Sequence, residues 1–338
     1  MCATIFKSFT DNDIANTRTL LHEAIPITGS IVSGTYSDNN IKNYSHGMFQ
    51  SVYDYPYLSS SANHIFDITV GYSANSSLSS SLSVQNARKI NIYNQMAQVL
   101  VGHDLTGSIL EFDEDGDIIA GGTKLKECIF VSYARLLHKD EIKRGSYTMS
   151  FNNVAAYSNP QVATTQVVFD DADSINDYRT NSPAGEYGII RNVANDAKGL
   201  IYYQAGMAVL TASVFSGLEM NVATEDIDTL LTDYEISSSA NAIRHRWYDN
   251  DFNNTIELNS TIYFCRMNHN EFNYSSNPTY LSESKIRVKD VSADEPIAYC
   301  TTIGLMSSDN EMLAVAKLSE PLKKTPSTEL IIRTRIDW

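Results

Sequence analysis

Closely spaced cysteines are missing from this chain of 338 residues. The four cysteines, Cys2, Cys128, Cys265 and Cys300, are scattered, and no two of them form a C-x-x-C pair. Zinc ribbons and small disulfide-bonded scaffolds need thiols at close, regular spacings, so the sequence predicts neither. We expect free, buried thiols.

Positive charge and long apolar runs are also scarce. The chain has 25 Lys and Arg against 40 Asp and Glu, which gives a formal net charge of -15. This acidity repels phosphate backbones and anionic lipid, so we expect neither nucleic acid nor membrane as a partner. The longest apolar runs, such as Met207 to Val214, are too short to span a bilayer. The first residues lack the apolar stretch of a secretory signal, which predicts a soluble protein made in a cytoplasm.

Sequence motifs of catalysis and cofactor binding are missing as well. The seven histidines are spread along the chain, and none pairs with another at the i, i+4 spacing of a helix-borne metal site. The segment from Gly29 to Gly34 lacks the Gly-x-Ser-x-Gly order of a nucleophile elbow, and a Gly-rich phosphate loop does not occur. The sequence therefore predicts no enzyme, no catalytic residue, no cofactor and no metal. A carboxylate pair that meets only in the fold stays open at this point.

Two acidic segments invite a cation-binding interpretation. In the segment from Asp113 to Asp117 three aspartates alternate, but Gly116 precedes the third, whereas an EF-hand loop has its glycine after it. The favoured interpretation is a solvated hairpin turn. The segment from Asp170 to Asp173 is equally acidic and equally without a ligand spacing. Whether either segment binds a cation is left open by the sequence.

The end of the chain carries its clearest pattern. Ile297 to Met306 and Met312 to Leu318 are apolar runs separated by a polar turn, and Leu330 to Trp338 is a third run. In the third run apolar residues alternate with charged ones, which is typical of a strand with one buried face. Together the three runs predict a C-terminal β-meander.

Three short helices are expected among the strands. A Thr-Asp cap at Thr10 to Asp13 and the apolar residues that follow predict a helix before Pro26. Apolar residues at three- and four-residue steps predict a helix over 84–101, and Thr224 to Tyr234 opens with a cap and acidic first turn. The alternation in Ile243 to Tyr248 predicts a strand.

The overall prediction is a strand-dominated α+β fold with antiparallel β domains, a few short helices and the C-terminal meander. Three domains are expected from length and pattern. They are an N-terminal α+β domain over 1–151 that contains the helix 84–101, a β-rich middle domain over 152–255, and a C-terminal β domain over 256–338.

Aromatic residues are abundant and cluster in irregular segments. The chain has 20 tyrosines, and the segments from Asn43 to Tyr57 and from Asn268 to Tyr280 combine aromatics with Asn and Ser. Such residues suit hydrogen-bonded protein interfaces, although packing beneath a loop and a codon bias toward A/T are competing explanations. The candidate partner-binding residues are Tyr53, Tyr55, Tyr57, Phe272, Tyr274, Arg333, Arg335 and Trp338.

Three segments give the chain a resemblance to a family. They are GLIYYQAGMAVL (199–210), NHNEFNYSSNPTY (268–280) and the end that begins IGLMSSDNEM (303–338), and the segment 41–57 agrees with them. Together they resemble virion structural proteins of T-even-like contractile-tailed bacteriophages, with the nearest likeness to those of marine cyanophages. The resemblance implies a tail, baseplate or neck protein without a catalytic motif, and no residue's role is carried over from the family.

The expected function is therefore that of a non-enzymatic building block. The resemblance implies partners among other virion proteins and copies of the chain itself, arranged as a homo-oligomer in a symmetric ring. It also implies a place in the virion after assembly in the cytoplasm of the bacterial host. The alternative is a receptor-binding or carbohydrate-binding component of a fibre or spike, which would contact sugars through Tyr and Asn.

Overall fold

The structure is a computed structural model. The described residues are 6–27, 38–117, 121–154, 156–157, 166–221, 223–275, 280–282, 285–286, 291 and 293–338. The segment Gly29 to Gly34 therefore lies outside the described residues, as does part of the aromatic segment from Asn268 to Tyr280.

Strands dominate the fold. The strands are β1 (Ile14–Pro26), β2 (Ile41–Asn43), β3 (Gln50–Tyr53), β4 (His64–Tyr72), β5 (Phe112–Asp113), β6 (Lys124–Leu125), β7 (Glu127–Tyr133), β8 (Glu141–Ile142), β9 (Thr148–Asn152), β10 (Gln166–Asp170), β11 (Tyr178–Ser182), β12 (Gly185–Asn192), β13 (Ala197–Tyr202), β14 (Met207–Thr211), β15 (Trp247–Met267), β16 (Leu281–Ser282), β17 (Lys285–Ile286), β18 (Ala298–Met306), β19 (Met312–Lys324) and β20 (Leu330–Asp337). The helices are α1 (Asn86–Leu100), α2 (Arg135–His138), α3 (Ile227–Asp233) and α4 (Ile236–His245). None of these helices has the length and apolar composition that a membrane crossing requires. The predicted α+β class is confirmed.

The chain forms two compact units. The larger unit comprises residues 21–256, and the smaller unit combines residues 1–20 with residues 257–338. The sequence predicted a boundary between 151 and 152, but β9 runs through that position and pairs with β10 on one side and β15 on the other. Residues on both sides of 151 therefore share one unit.

The larger unit is built on a sheet of antiparallel strands. Its order runs β2-β3-β4-β7-β14-β13-β12-β10-β9-β15, and each neighbouring pair along it is antiparallel. Central strands such as β7 and β14 carry continuous runs of buried residues. A strand that is buried along its length loses the alternation of a half-exposed strand, because both of its faces are covered.

Helix α1 covers part of this sheet, and the sequence prediction of a helix over 84–101 is confirmed. The helix packs on β4 at Gly71, where an added Cβ would lie only 2.7 Å from the carbonyl oxygen of Lys89 and 2.9 Å from the amide nitrogen of Tyr93. The Tyr93 ring meets Phe112 and Phe130 edge-on. The absence of a side chain at Gly71 therefore sets how closely helix and sheet approach.

Two buried charged groups of the larger unit are satisfied largely by backbone atoms. The Asp171 carboxylate accepts hydrogen bonds from the amides of Gly145 and Tyr147 and from the Tyr203 hydroxyl, each at 2.9 Å. Lys89 donates from Nζ to two carbonyl oxygens at the end of α3, Leu231 O at 2.6 Å and Tyr234 O at 2.7 Å. Burial lowers the pKa of Lys89 to about 8.

The helix expected after Thr10 is wrong. Thr10 does cap a short turn of 3-10 helix over Asp11–Asp13, so the cap signal is real. From Ile14 onward, however, the chain is extended as β1 and lies beside β15. The pairing with β15 overrides a weak helical pattern that contains the β-branched residues Ile14 and Thr17.

The strand expected over 243–248 is also wrong in its first half. Residues Ile236–His245 form α4, which ends with the basic residues Arg244 and His245 in its last turn, and the extended chain begins only at Trp247. The alternation of apolar and basic residues at 243–247 spans a helix end and a strand start. A period of two over so few residues therefore could not separate the two elements.

The C-terminal runs do form strands, but they do not form a three-stranded meander. Strands β18 and β19 pair as an antiparallel hairpin, whereas β20 pairs with β15 from Met267↔Leu330 to Ser260↔Asp337. The alternation within β20 is confirmed, since its residues are half-buried and exposed in turn. Strand β20 pairs with the long strand β15. The sequence pattern could not identify this partner.

Candidate interaction surface

The smaller unit has very little interior. Among its described residues the buried apolar side chains are Ile262, Tyr280, Ala298 and Leu305. By contrast, every buried member of the large hydrophobic cluster lies between Ile27 and Phe252, inside the larger unit. Strands that bury so little apolar area within their own unit gain little stability from it.

The β18-β19 hairpin leaves apolar side chains in solvent. Direct pairing places Ile303 opposite Ala316 and Leu305 opposite Ala314 on one face, where these side chains are buried or half-buried. Leu313 and Val315 alternate with them along β19, and 69% and 56% of their surface is exposed. The hairpin thus has a partly covered inner face and an exposed outer face that carries large apolar groups.

Strand β20 presents a second exposed face next to β15. Ile331, Arg333 and Arg335 point outward in turn, and Ile331 is 59% exposed. The Arg335 guanidinium donates to the Asp337 carboxylate at 2.6 Å and to the Ser260 hydroxyl at 2.9 Å. This face therefore combines one apolar side chain with two guanidinium groups, of which Arg335 is held in place.

Trp338 directly follows β20. Its backbone exchanges hydrogen bonds with Asn259, at 2.8 Å and 3.2 Å. The indole itself is 76% exposed, and its Nε1 donates to the Thr261 hydroxyl at 3.4 Å. The backbone is docked as an extension of the strand, while the aromatic ring is left on the surface.

A groove of about 710 Å³ lies within the smaller unit. The segment 6–9, the C-terminal end of β15, the residues after it and the β18-β19 hairpin line this groove. Six aromatic side chains contribute to its walls: Phe6, Phe9, Phe264, Phe272, Tyr274 and Tyr299. Two of the predicted partner-binding residues, Phe272 and Tyr274, are therefore brought together in one place.

The charged groups around this groove are paired. Lys7 Nζ lies 2.6 Å from the Glu271 carboxylate, and Arg266 Nε lies 2.6 Å from the Asp13 carboxylate. Lys324 is buried, and its Nζ donates to Asn273 Oδ1 and Thr325 O, both at 2.8 Å. Burial lowers the pKa of Lys324. These contacts fix the walls of the groove.

Two thiols also line the groove. Burial raises the pKa of both Cys265 and Cys300, which keeps each thiol protonated at neutral pH. A protonated thiol is a poor nucleophile. With its cations paired and its thiols neutral, the groove offers apolar and aromatic contact rather than an activated reacting group among the described residues.

The predicted residues Tyr53, Tyr55 and Tyr57 lie in the larger unit, apart in sequence from the groove residues. Tyr53 ends β3 and is half-buried, with its ring 5.5 Å from that of His64 and 6.3 Å from that of Tyr57. Tyr55 and Tyr57 are exposed, Tyr55 by 56%. The segment therefore contains a short strand that the sequence did not indicate, followed by a turn that displays two aromatic rings.

Several exposed side chains of the smaller unit were missed by sequence reasoning. Leu313 and Val315 belong to an apolar run that was predicted as a strand, and Ile331 lies on the face of the alternating run that carries its charged residues. The signal that could have identified Leu313 and Val315 is the presence of apolar residues on both faces of β19.

Comparison of the chain with protein-family models, with curated proteins and with solved structures found no match.

Proposed function

We propose that this chain is a non-enzymatic structural subunit of a tailed-bacteriophage virion, located in the tail, baseplate or neck, which acts through protein-protein interfaces. The observation that carries the proposal is the smaller unit, whose described residues expose large apolar side chains on β19 and β20 and bury few of their own. Exposed apolar side chains on strands of a chain that is otherwise strongly acidic are typical of a surface that another protein covers.

The proposed partners are other copies of the chain and neighbouring virion proteins. Strand β19 is 13 residues long and pairs with β18, and long strands with exposed apolar residues favour association with a neighbouring chain. Repetition of one such contact around an axis generates a closed ring. The resemblance of the segments 199–210, 268–280 and 303–338 to contractile-tail proteins supports this setting. Neither nucleic acid nor membrane is among the proposed partners, and assembly would take place in the host cytoplasm.

The proposal is tested on particles. Tailed particles are purified from a lysate of the host in which the chain is made, and their proteins are quantified by mass spectrometry. We expect the chain at a fixed ratio to the other structural proteins. Its absence from purified particles, together with its presence in the soluble fraction of the same lysate, would contradict the proposal.

A pair of variants tests whether the exposed face of β19 is the contact. We expect Val315→Asp to reduce incorporation into particles by at least about tenfold, because a carboxylate would be desolvated in the interface. The matched control is Leu105→Asp, which changes an exposed apolar residue of the larger unit. Equal incorporation of both variants would show that β19 is not the contact.

A second function is favoured by the groove of about 710 Å³ with its six aromatic walls. A receptor-binding or carbohydrate-binding component would stack sugar rings on such aromatic faces, in a cavity of the size that small ligands occupy. Glycan-array binding by the wild-type chain, with loss in Tyr274→Ala and retention in Tyr55→Ala, would support this alternative. An array on which no glycan binds would remove it.

A further inference from the structure

Three aspartates in the larger unit converge at the turn that follows β5. One carboxylate oxygen from each of Asp113, Asp115 and Asp117 lies within 4.8 Å of the others. Oxygen ligands bind Ca²⁺ at about 2.3–2.6 Å, so two ligands on one ion are at most about 5 Å apart. The three side chains therefore already have the separation that a single calcium ion requires.

Asp113 supplies a second and independent observation. It is only 2% exposed, and its Oδ2 is paired with the ammonium group of Lys124. Its other oxygen, Oδ1, is buried and receives no hydrogen bond from the described residues. A buried carboxylate oxygen without a partner costs stability, and such an atom calls for a water or an ion.

The electrostatics of the turn also favour a bound cation. Three carboxylates that lie within 4.8 Å of one another repel each other, and Lys124 offsets the charge of Asp113 through Oδ2. Glu114 adds a further acidic side chain to the same turn. A bound divalent cation would offset the mutual repulsion of these groups.

Side chains of β11 and β12 hold the turn in place by hydrogen bonds. Gly116 has a φ of +71°, a conformation that glycine adopts without strain. Its carbonyl oxygen accepts from the Tyr187 hydroxyl at 2.8 Å and from Asn181 Nδ2 at 3.0 Å. The amide of Asp117 donates to Asp115 Oδ1 at 3.2 Å. These bonds fix the loop before any ion arrives, which lowers the entropy cost of binding.

Lys124 acts as a positioning residue in this arrangement. By pairing with Asp113 through Oδ2, it holds the carboxylate in place and leaves Oδ1 available as a ligand. Ligating carboxylates are commonly held in this way by hydrogen bonds from residues outside the coordination shell. The pairing with Lys124 and the ligation of an ion through Oδ1 are therefore compatible.

We propose that Asp113, Asp115 and Asp117 bind a calcium ion at this turn, with Asp113 Oδ1 as the buried ligand and water completing the coordination. All three ligands are hard oxygen donors, which excludes a preference for zinc or copper. Mg²⁺ keeps most of its waters and is usually bound by one or two carboxylates, so three convergent aspartates favour Ca²⁺. The site is unlike an EF-hand, because its glycine precedes the third aspartate.

The experiment is a calorimetric titration of the full chain with CaCl₂ after chelation, at constant ionic strength. We expect one saturable site with a Kd below about 1 mM, in the range of the weaker calcium modules. Asp115→Asn and Asp117→Asn change exposed residues and should weaken binding at least about tenfold without preventing folding. Asp173→Asn, in the other acidic segment, is the matched control and should bind Ca²⁺ like the wild type.

Terbium luminescence gives a readout that does not depend on heat. Tb³⁺ replaces Ca²⁺ at oxygen sites, and Tyr187, which hydrogen-bonds to Gly116, lies close enough to sensitise its emission. We expect sensitised emission that Ca²⁺ displaces, in the wild type and in Asp173→Asn but not in Asp115→Asn. Three results would overturn the proposal: no saturable binding up to about 10 mM Ca²⁺, equal affinity in all variants, or Mg²⁺ binding as tight as that of Ca²⁺.

Discussion

The two units of this chain differ in how much of their apolar surface they bury. The larger unit encloses a continuous cluster that runs from Ile27 to Phe252 and includes many aromatic rings. The described part of the smaller unit buries Ile262, Tyr280, Ala298 and Leu305 and leaves Leu313, Val315 and Ile331 in solvent. The larger unit therefore gains stability from its own core, whereas the smaller unit leaves apolar area exposed to solvent.

The two units also differ in charge. Residues 21–256 contain 27 Asp and Glu against 14 Lys and Arg, whereas the remaining residues contain 13 against 11. The acidity of the chain therefore resides almost entirely in the larger unit. A nearly neutral, apolar surface can be desolvated in an interface at low cost, and a strongly acidic one favours solubility.

The largest expected effect is that of replacing Arg246 in the larger unit. This residue is fully buried, and its guanidinium donates to the carbonyl oxygens of Glu219 at 3.1 Å, Val154 at 2.6 Å and Asn152 at 3.3 Å. We expect Arg246→Met to lower the free energy of unfolding by about 4 kcal/mol, because three buried acceptors lose a charged donor. Urea denaturation measures the change.

The matched control for that variant lies in the smaller unit. Arg333 is an exposed arginine of β20, so Arg333→Met should change the free energy of unfolding by less than about 0.5 kcal/mol. Similar losses of unfolding free energy in the two variants would contradict the difference in burial between the units.

The next effect is a pH dependence that originates in the larger unit. His138 is buried, and its pKa is lowered to about 4 by that burial and by Arg135, with Asp140 acting in the opposite direction. The unfolded chain binds a proton at this side chain below about pH 6.5, where the folded chain does not. Stability that is present above pH 6.5 is therefore lost as the pH falls toward 4, by about 3 kcal/mol at most.

Variants assign this loss to one side chain. In His138→Gln the residue at 138 no longer titrates, so thermal or urea unfolding should weaken less between pH 6.5 and 4 than in the wild type. His269→Gln, at an exposed position of the smaller unit, should keep the wild-type pH dependence. An unchanged pH profile in His138→Gln would contradict the assignment.

Two strand glycines test the difference in packing density between the two units. An added Cβ at Gly71 in β4 would lie within 3.0 Å of two backbone atoms of α1, whereas at Gly304 in β18 the nearest atom is Met312 Cε at 3.7 Å. We expect Gly71→Ala to cost about 2 kcal/mol, because backbone cannot move aside as a side chain can. Gly304→Ala should be neutral within about 0.5 kcal/mol, and a comparable cost there would show that the hairpin is packed more tightly than its exposed residues indicate.

The smallest expected effect is that of polar substitution on the exposed strands. Ile331→Thr removes apolar surface that is already in solvent, so the free energy of unfolding of the isolated chain should change by less than about 0.5 kcal/mol. Thermal unfolding measures this change. A loss above about 2 kcal/mol would mean that Ile331 is covered in solution, since only buried residues of this size cost so much.

Sequence reasoning succeeded where local pattern and tertiary partner agree. Helix α1 has apolar residues at helical spacing and packs on β4, so the sequence could predict it. Strand β1 could not, because the capping signal at Thr10 is satisfied by a single turn and the pairing with β15 decides the rest. For the same reason the predicted meander was wrong at β20, because the pattern of a strand does not show which strand pairs with it.

The candidate surfaces show a second limit of sequence reasoning. Alternation in β19 distinguishes its two faces but does not reveal whether Val315 is covered. In the acidic turn, spacing alone argued against a calcium site at Asp113, whereas the burial of that carboxylate and its unpaired oxygen appear only in the fold. The hydrogen bonds that hold this turn come from residues distant in sequence, Tyr187 and Asn181, and are therefore invisible in a single segment.

The most direct test of the proposed function is a reconstruction of the assembled particle by electron cryomicroscopy. We expect the outer face of the β18-β19 hairpin to be covered by another subunit, in an interface that buries more than about 1,000 Å² and includes Leu313 and Val315. A particle in which every copy of this chain exposes that face to solvent would contradict it.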